Sequence, residues 1–456
     1  MTAPALVWFR DDLRVSDHPA LATAARSGRP VLAAYVLDEK SERPLGGAAR
    51  WWLAGSLEAL AADLRVLGVS LVLRRGRADV EIAALARESG AAAVHWNRRY
   101  RQAAAALDDE LAARLRCEGV AVEVHEGDLL FEPAAIRSGS GEPYQMFTPF
   151  WRACLAASPP ARPVPGPKRL TAHTPALASA TLAEWRLRPS APDWAAGLRA
   201  AWTPGERAAR RRLRRFLKRG LARYARERDY PAKAATSGLS PYLRWGEISP
   251  RQVWHAVAAE GVDAAFLREL GWREFAAHVL WRAPDLATTP LRPEYARFPW
   301  RSDARALTAW QRGRTGYPLI DAGMRELWST GVMHNRVRMA AASFLVKHLL
   351  LPWQVGEAWF WDTLIDADHA SNPLNWQWVA GCGIDAAPYF RIFNPVLQAR
   401  KFDPDGAYIR RWVPKLASLS VREIHAPSAV PGYPPPVVDH ASARQRALVA
   451  LARLRH

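Results

Sequence analysis

Residues 31–37 read Val-Leu-Ala-Ala-Tyr-Val-Leu, seven positions without a charge. A short apolar run that does not alternate suits a strand buried on both faces, as in a parallel sheet covered by helices. Working outward, comparable runs occur at Leu6–Phe9, Val69–Leu73, Ala92–Trp96 and Val120–Val124. Between them lie Ala/Leu/Arg stretches of helical period at Pro19–Arg26, Ala48–Val66, Asp79–Ser89 and Ala104–Cys117. This alternation predicts an α/β domain built on a parallel, Rossmann-like sheet. No GxGxxG follows the first strand, so the dinucleotide fingerprint of that layout is absent.

The texture changes near Phe131. Pro, Ala and Ser dominate around Ser158–Pro167 and Pro189–Trp202, the composition of a long connection. Beyond Gly205 strand signals nearly vanish, and helical periods rich in Trp, Arg and Leu run to about Leu364. The expected organisation is an α/β domain over 1–130, an interdomain linker over 131–205 and a larger all-α domain over 206–456.

The chain of 456 residues carries 63 Lys and Arg against 44 Asp and Glu, a net charge of +19. That field suits a polyanionic partner, although an Arg-rich solvated surface accounts for it equally well. Tryptophan outnumbers tyrosine, 21 to 11, more indole than an ordinary core needs. The three cysteines lie far apart with no CxxC pair, which argues against a disulfide framework or a zinc site built on several thiolates. No apolar run reaches the ~18 residues of a membrane span, and the first residues do not look like a signal peptide. A cytoplasmic monomer is expected.

Four constellations could carry chemistry. Glu206–Arg228 is strongly basic, as either a solvated helix or a phosphate-facing one. In Thr236-Ser-Gly-Leu-Ser-Pro241, Ser240 reads as an N-cap with Pro241 at the first helical position, a start that also suits a phosphate. Phe266, Glu269, Trp272 and Arg273 fall on one helical face, and Asn335, Arg338 and Met339 on another, like two walls of a polar cavity. Asp366, Asp368 and Asn372 lie in a short irregular stretch whose carboxylates could hold Arg273 and Arg338 in a low-dielectric site. His369 is the only imidazole close by, too few for a ligand set, so no metal is expected.

Glu269-Leu-Gly-Trp-Arg-Glu-Phe275, Met333-His-Asn-Arg-Val-Arg-Met339, Asp366-Ala-Asp368, Trp376-Gln-Trp378 and Asp385-Ala-Ala-Pro-Tyr-Phe-Arg-Ile-Phe-Asn-Pro395 resemble the photolyase/cryptochrome family, in order and spacing. Val7-Trp-Phe-Arg-Asp-Asp-Leu-Arg14 resembles its opening strand. The likeness runs from residue 6 to about 440 and is most like a class I-type cyclobutane pyrimidine dimer photolyase. It implies FAD in the helical domain. Tyr224, Thr236, Ser237, Gly238, Leu239 and Ser240 would meet the phosphates and nearby groups, while Phe266 and Arg273 line the pocket. Arg338 would pair with Asp366, the Asp366-Ala367-Asp368 turn would meet the flavin edge, and Asn372 would sit near its N5.

The resemblance also places Glu269, Trp272, Asn335, Arg336, Met339, Trp378 and Gln398 against the lesion. Trp376, Trp353 and Trp300 match the family's electron relay. The implied activity is light-dependent repair of pyrimidine dimers in DNA, by electron transfer from excited, reduced FAD to a flipped-out dimer. Asn335 and Met339 stand where repair of six-four photoproducts would call for histidines. A signalling cryptochrome usually carries a long C-terminal tail and often lacks the Glu269/Trp272 pair. Val332 and His369–Pro373 depart from the common pattern. A second, antenna chromophore (folate, deazaflavin or flavin) is left open, because Trp96–Gln102 lacks the acidic residue that folate-binding relatives often place there.

Overall fold

A computed structural model describes residues 2–127, 129–174, 176–261, 264–385 and 390–455. Strands β1 (Ala5–Phe9), β2 (Val31–Leu37), β3 (Leu71–Arg75), β4 (Ala93–Asn97) and β5 (Ala121–His125) form one parallel sheet in the order β3-β2-β1-β4-β5. Strand order reverses at β1, so the loops after β1 and β4 flank a crevice at the carboxyl ends of the strands. Three of the five strands begin one or two residues later than the apolar runs suggest. The helices Pro19–Arg26, Gly47–Leu67, Ala78–Ser89 and Gln102–Cys117 lie where the periodicity puts them.

Side-chain alternation explains the layers. Ala5, Val7 and Phe9 on β1 join one core with the Pro19–Arg26 and Gly47–Leu67 helices. Leu6 and Trp8 point the other way, into a second core with the Ala78–Ser89 and Gln102–Cys117 helices. The first core does not stop at the sheet. It continues into Leu213, Tyr224, Tyr242, Phe266 and Phe275 of the helical half, so the halves share buried apolar surface. A third core gathers the remaining helices around Trp310, Phe344, Trp353 and Trp376.

Segment 131–205 is laced onto the sheet domain. The Thr171 carbonyl accepts from the Val31 amide at 2.7 Å, and Leu170 N donates to Leu67 O at 2.8 Å. Ser179 Oγ accepts from Leu73 N at 3.0 Å, and Ala180 N donates back to Leu73 O at 2.9 Å. Two buried polar clusters then fasten the halves. Both oxygens of the Asp17 carboxylate are taken, by the Val164 amide on one side and by Ser249 Oγ and Arg251 Nε on the other. Glu247, fully buried, accepts from Trp52 Nε1, Ser56 Oγ and the Gly205 amide; burial nevertheless pushes its carboxyl up to about 8.

Beyond β5 no further strand occurs among the described residues. The basic stretch forms two helices, Glu206–Arg219 and Leu221–Glu227, broken at Gly220. The two predicted walls are the helices Ala264–Arg282 and Asn335–Ser343. The reading of Ser240 needs correction. Leu239 is the N-cap of the helix Ser240–Arg244, with Ser240 its first residue, and the serine hydroxyl donates to Asp366 at 2.6 Å instead of capping.

Candidate cofactor and nucleic-acid site

A cavity of about 400 Å³ opens between the helical half and the crevice end of the sheet. That size is in the range of cofactor sites. Tyr224, Ser237, Leu239, Ser240, Phe266 and Arg273 line one part, and Arg338, Asp366 and Asp368 another. Glu269 also faces it. The sheet domain supplies a wall that the sequence did not announce: Arg10, Asp11 and Asn97. Asp11 pairs with Arg244 at 2.8 Å, and Arg244 Nε donates to the Ala367 carbonyl at 2.8 Å, so this wall is tied to the acidic turn.

Local structure explains each placement. Tyr224 packs edge-on to Phe266 with ring centres 5.2 Å apart, and Phe216 tilts against Phe266 at 4.6 Å, making an aromatic side to the hollow. Asp366, 8% exposed, receives Ser240 Oγ and one nitrogen of Arg338, at 2.9 Å to its nearer oxygen. Arg338 is oriented in turn by donating Nε to the Met333 carbonyl at 2.6 Å. Asp368 accepts from the Ala370 and Ser371 amides and starts the Ser371–Ala380 helix. Arg273 pairs with Glu274 at 3.3 Å. Glu274 is fully buried and accepts from the Leu130 and Phe131 amides; burial pushes its carboxyl up to about 7, against the pull of Arg273 and those amides.

A second hollow of about 260 Å³ lies alongside, lined by Arg212, Arg215, Arg219, Arg223, Thr236 and Ser237. Arginines beside two hydroxyl residues are the kind of donor set that suits phosphate oxygens, although Arg223 already donates to Glu227 and to the Arg219 carbonyl. Ser237 faces both hollows, so the Thr236–Ser240 turn stands between them. Part of the basic helix therefore borders a hollow, with Arg212 half-buried and Arg215, Arg219 and Arg223 still exposed to solvent. Gly238 has the positive φ of 64° this turn requires, and a Cβ there would come within 3.2 Å of the Arg212 guanidinium.

Asn372 lies differently from the expectation. It is buried, and its amide donates to the carbonyl and the carboxylate of Glu357, at 3.1 and 2.9 Å; it is not among the cavity-lining residues. Glu357 is itself held by a two-point pair with Arg43 of the sheet domain, at 2.7 and 2.8 Å.

The residues expected at the lesion are joined by a chain of ion pairs that sequence reasoning missed. Glu269 pairs with Arg228, Arg228 lies 3.8 Å from Asp229, and Asp229 takes both Nε and Nη2 of Arg336 at 2.8 Å. Arg228 and Asp229 close the basic helical stretch and so link the two walls. The Arg-Asp dipeptide after a run of cations was the available signal. Arg336 also lies over the Phe402 ring at 5.2 Å and 4.0 Å from the Met339 sulfur. Asn335 is exposed at the first turn of its helix, and Gln398 is half-buried on the helix Pro395–Phe402, which packs against it. Trp272 is half-buried and stacked on Phe147, ring centres 3.7 Å apart and planes within 8°. Trp378 is half-buried and donates Nε1 to the Asp385 carbonyl at 2.9 Å. Of the motif that follows, residues 386–389 lie outside the described residues.

Trp376 and Trp353 are buried in the third core, and Trp300 lies half-buried at its margin. Trp376 closes on the helix Trp353–Thr363 so tightly that a Cβ on Gly356 would meet its ring at 2.2 Å. Trp310, not singled out from the sequence, is fully buried edge-on to Trp376 at 6.2 Å.

Residues 5–168 match a family model described as DNA photolyase, and residues 266–453 match the FAD binding domain of DNA photolyase. Over its full length the chain is 48% identical to a deoxyribodipyrimidine photo-lyase of Agrobacterium fabrum, covering 98% of that relative. This chain belongs to the DNA photolyase family.

It is also 38% identical to cryptochrome-2 of Arabidopsis thaliana, over 100% of this chain and 80% of that one. A crystal structure described as a bacterial class III photolyase from Agrobacterium tumefaciens superposes with a TM-score of 0.97 at 47% identity, covering 100% of this chain and 98% of the other. The motifs resemble a class I-type photolyase, whereas this neighbour is described as class III, so the likeness shows the family and not the class I subtype.

The site fits FAD. The arginine-rich hollow with Thr236 and Ser237 suits a diphosphate, and the aromatic side offered by Tyr224 and Phe266 suits a flat ring system. The Arg338–Asp366–Ser240 group supplies both donors and acceptors for a polar ring edge.

Proposed function

We propose that this protein is a light-driven lyase that splits cyclobutane pyrimidine dimers in DNA back into separate pyrimidines, with Arg338, Asp366 and Arg273 holding FAD and the Glu269/Trp272 face receiving the lesion. The observation that carries this reading is Glu269. It faces the same cavity as Arg338 and Asp366, and it is tied through Arg228 and Asp229 to Arg336 on the opposite wall. When bound and reduced, FAD supplies the light-absorbing electron donor.

The chain's own groups do the rest. Photolyases belong with the enzymes that act on a base taken out of the helical stack, at a cost of a few kcal/mol that damage lowers. Trp272 and Trp378 offset that cost by stacking, worth about 1–3 kcal/mol per base. Glu269 and Asn335 offer a carboxylate and an amide to the pyrimidine edges. The net charge of +19 draws the phosphate backbone to the protein. Trp376, Trp353 and Trp300, graded from buried to half-buried, form a route by which an external reductant can recharge the site.

The test is an oligonucleotide carrying one thymine dimer, incubated with flavin-loaded protein under blue light and in the dark. Repair only in the light is expected. Equal repair in the dark would end this reading, and flavin photoreduction without repair would favour a photoreceptor.

A further inference from the structure

We propose that His95, Glu123 and His125 form a binding site for a divalent transition metal such as Zn²⁺, on the face of the sheet covered by the Pro19–Arg26 helix and remote in function from the repair chemistry. His95 on β4 and Glu123 on β5 are direct register partners, and His125 lies two residues further along β5, so all three side chains project from one face. His95 Nδ1 lies 3.4 Å from His125 Nε2 and 3.7 Å from Glu123 Oε2. The three candidate ligand atoms all fall within 4.8 Å of one another.

These spacings suit coordination. Two nitrogens each about 2.0–2.1 Å from a tetrahedral Zn²⁺ stand roughly 3.4 Å apart, which is the separation seen. As a hydrogen bond between imidazoles the same distance is long. Two imidazoles and one carboxylate make a three-ligand set with a fourth position for water, and a half-exposed Glu123 leaves the way open. Coordination fixes the tautomers: the protons must sit on His95 Nε2 and His125 Nδ1.

Protonation does not stand in the way. Burial holds both imidazoles below their usual range, His125 down to about 4 and affected next by His95, so both are neutral and able to ligate near pH 7. The charges facing His125 include Arg26 and His18, which oppose a dication, and Glu123, which favours one. Arg26 is turned aside, donating to Thr23 Oγ1 at 2.9 Å. A bound ion would clamp the edge strand β5 to β4.

The experiment uses untagged, flavin-loaded full-length protein, stripped with chelator and titrated with Zn²⁺ by calorimetry. One saturable equivalent is expected. His125→Ala should weaken it by at least about tenfold and Glu123→Ala by several-fold, with bound flavin and light-dependent repair kept in both. Glu123 is half exposed, so its variant tests the site even if His125→Ala folds poorly. Absence of saturable binding, or wild-type affinity in the folded variants, overturns the assignment.

Discussion

The seam between the halves and the cavity beside it both bury charge, but they treat it differently. In the seam the protein supplies donors to both oxygens of each carboxylate. Asp17 accepts from the Val164 amide on one oxygen and from Ser249 and Arg251 on the other, and Glu247 accepts from Trp52 on one oxygen and from Ser56 and the Gly205 amide on the other. In the cavity Asp366, Arg338 and Glu269 are paired along one side and face open space on the other. Charge satisfied all round holds a structure together; charge satisfied on one side and facing a hollow is arranged for a guest.

Removing a cavity charge should break that contrast most visibly. Arg338→Ala strips Asp366 of its cation and leaves a buried carboxylate with Ser240 alone, a cost of about 3–5 kcal/mol when uncompensated. The expected result is loss of bound flavin, read as the ratio of visible to ultraviolet absorbance, with repair down by more than about a hundredfold. Retained flavin and repair would show that this pair only holds helices together.

Trp376 sharpens the difference between packing and function. Trp376→Phe should cut photoreduction of oxidised flavin by about tenfold or more while leaving repair near normal once the flavin is reduced chemically. Unchanged photoreduction would return Trp376 to the core.

The smallest effect on flavin and repair is expected in the seam. Glu247 has its carboxyl raised to about 8, so the folded state binds a proton that the unfolded chain, titrating near 4.5, has released. Its contribution to stability is therefore most favourable below about 4.5 and declines as pH rises towards 8, by at most about 1.4 kcal/mol per unit. In Glu247→Gln that slope should disappear. The difference in Tm between wild type and variant, followed from pH 5 to 8, checks it, and flavin content should not move. A difference that does not change with pH would remove the charge argument.

Much of the fold was legible because its signals are local. An unbroken apolar run such as Val31–Leu37 can be read without knowing its neighbours, and the two wall helices follow from period alone. What was missed depends on partners far away in the chain. Ser240 reads as a cap, but its hydroxyl goes to Asp366, 126 residues on. Asn372 reads as a cavity residue, but Glu357 holds its amide. The sheet-domain wall of Arg10, Asp11 and Asn97 is invisible until strand order brings the β1 and β4 loops together. Likewise, only the register of two strands makes neighbours of His95 and Glu123.

The lacing of segment 131–205 has a consequence for life at high concentration. An edge strand normally offers a row of unsatisfied peptide groups on which a stranger can add itself. At Leu73, in the middle of the outermost strand on that side, both peptide groups are already engaged by Ser179 and Ala180. Segment 131–205 thus serves as a selvedge, finishing the border of the sheet at Leu73 so that another molecule finds no loose thread at that point.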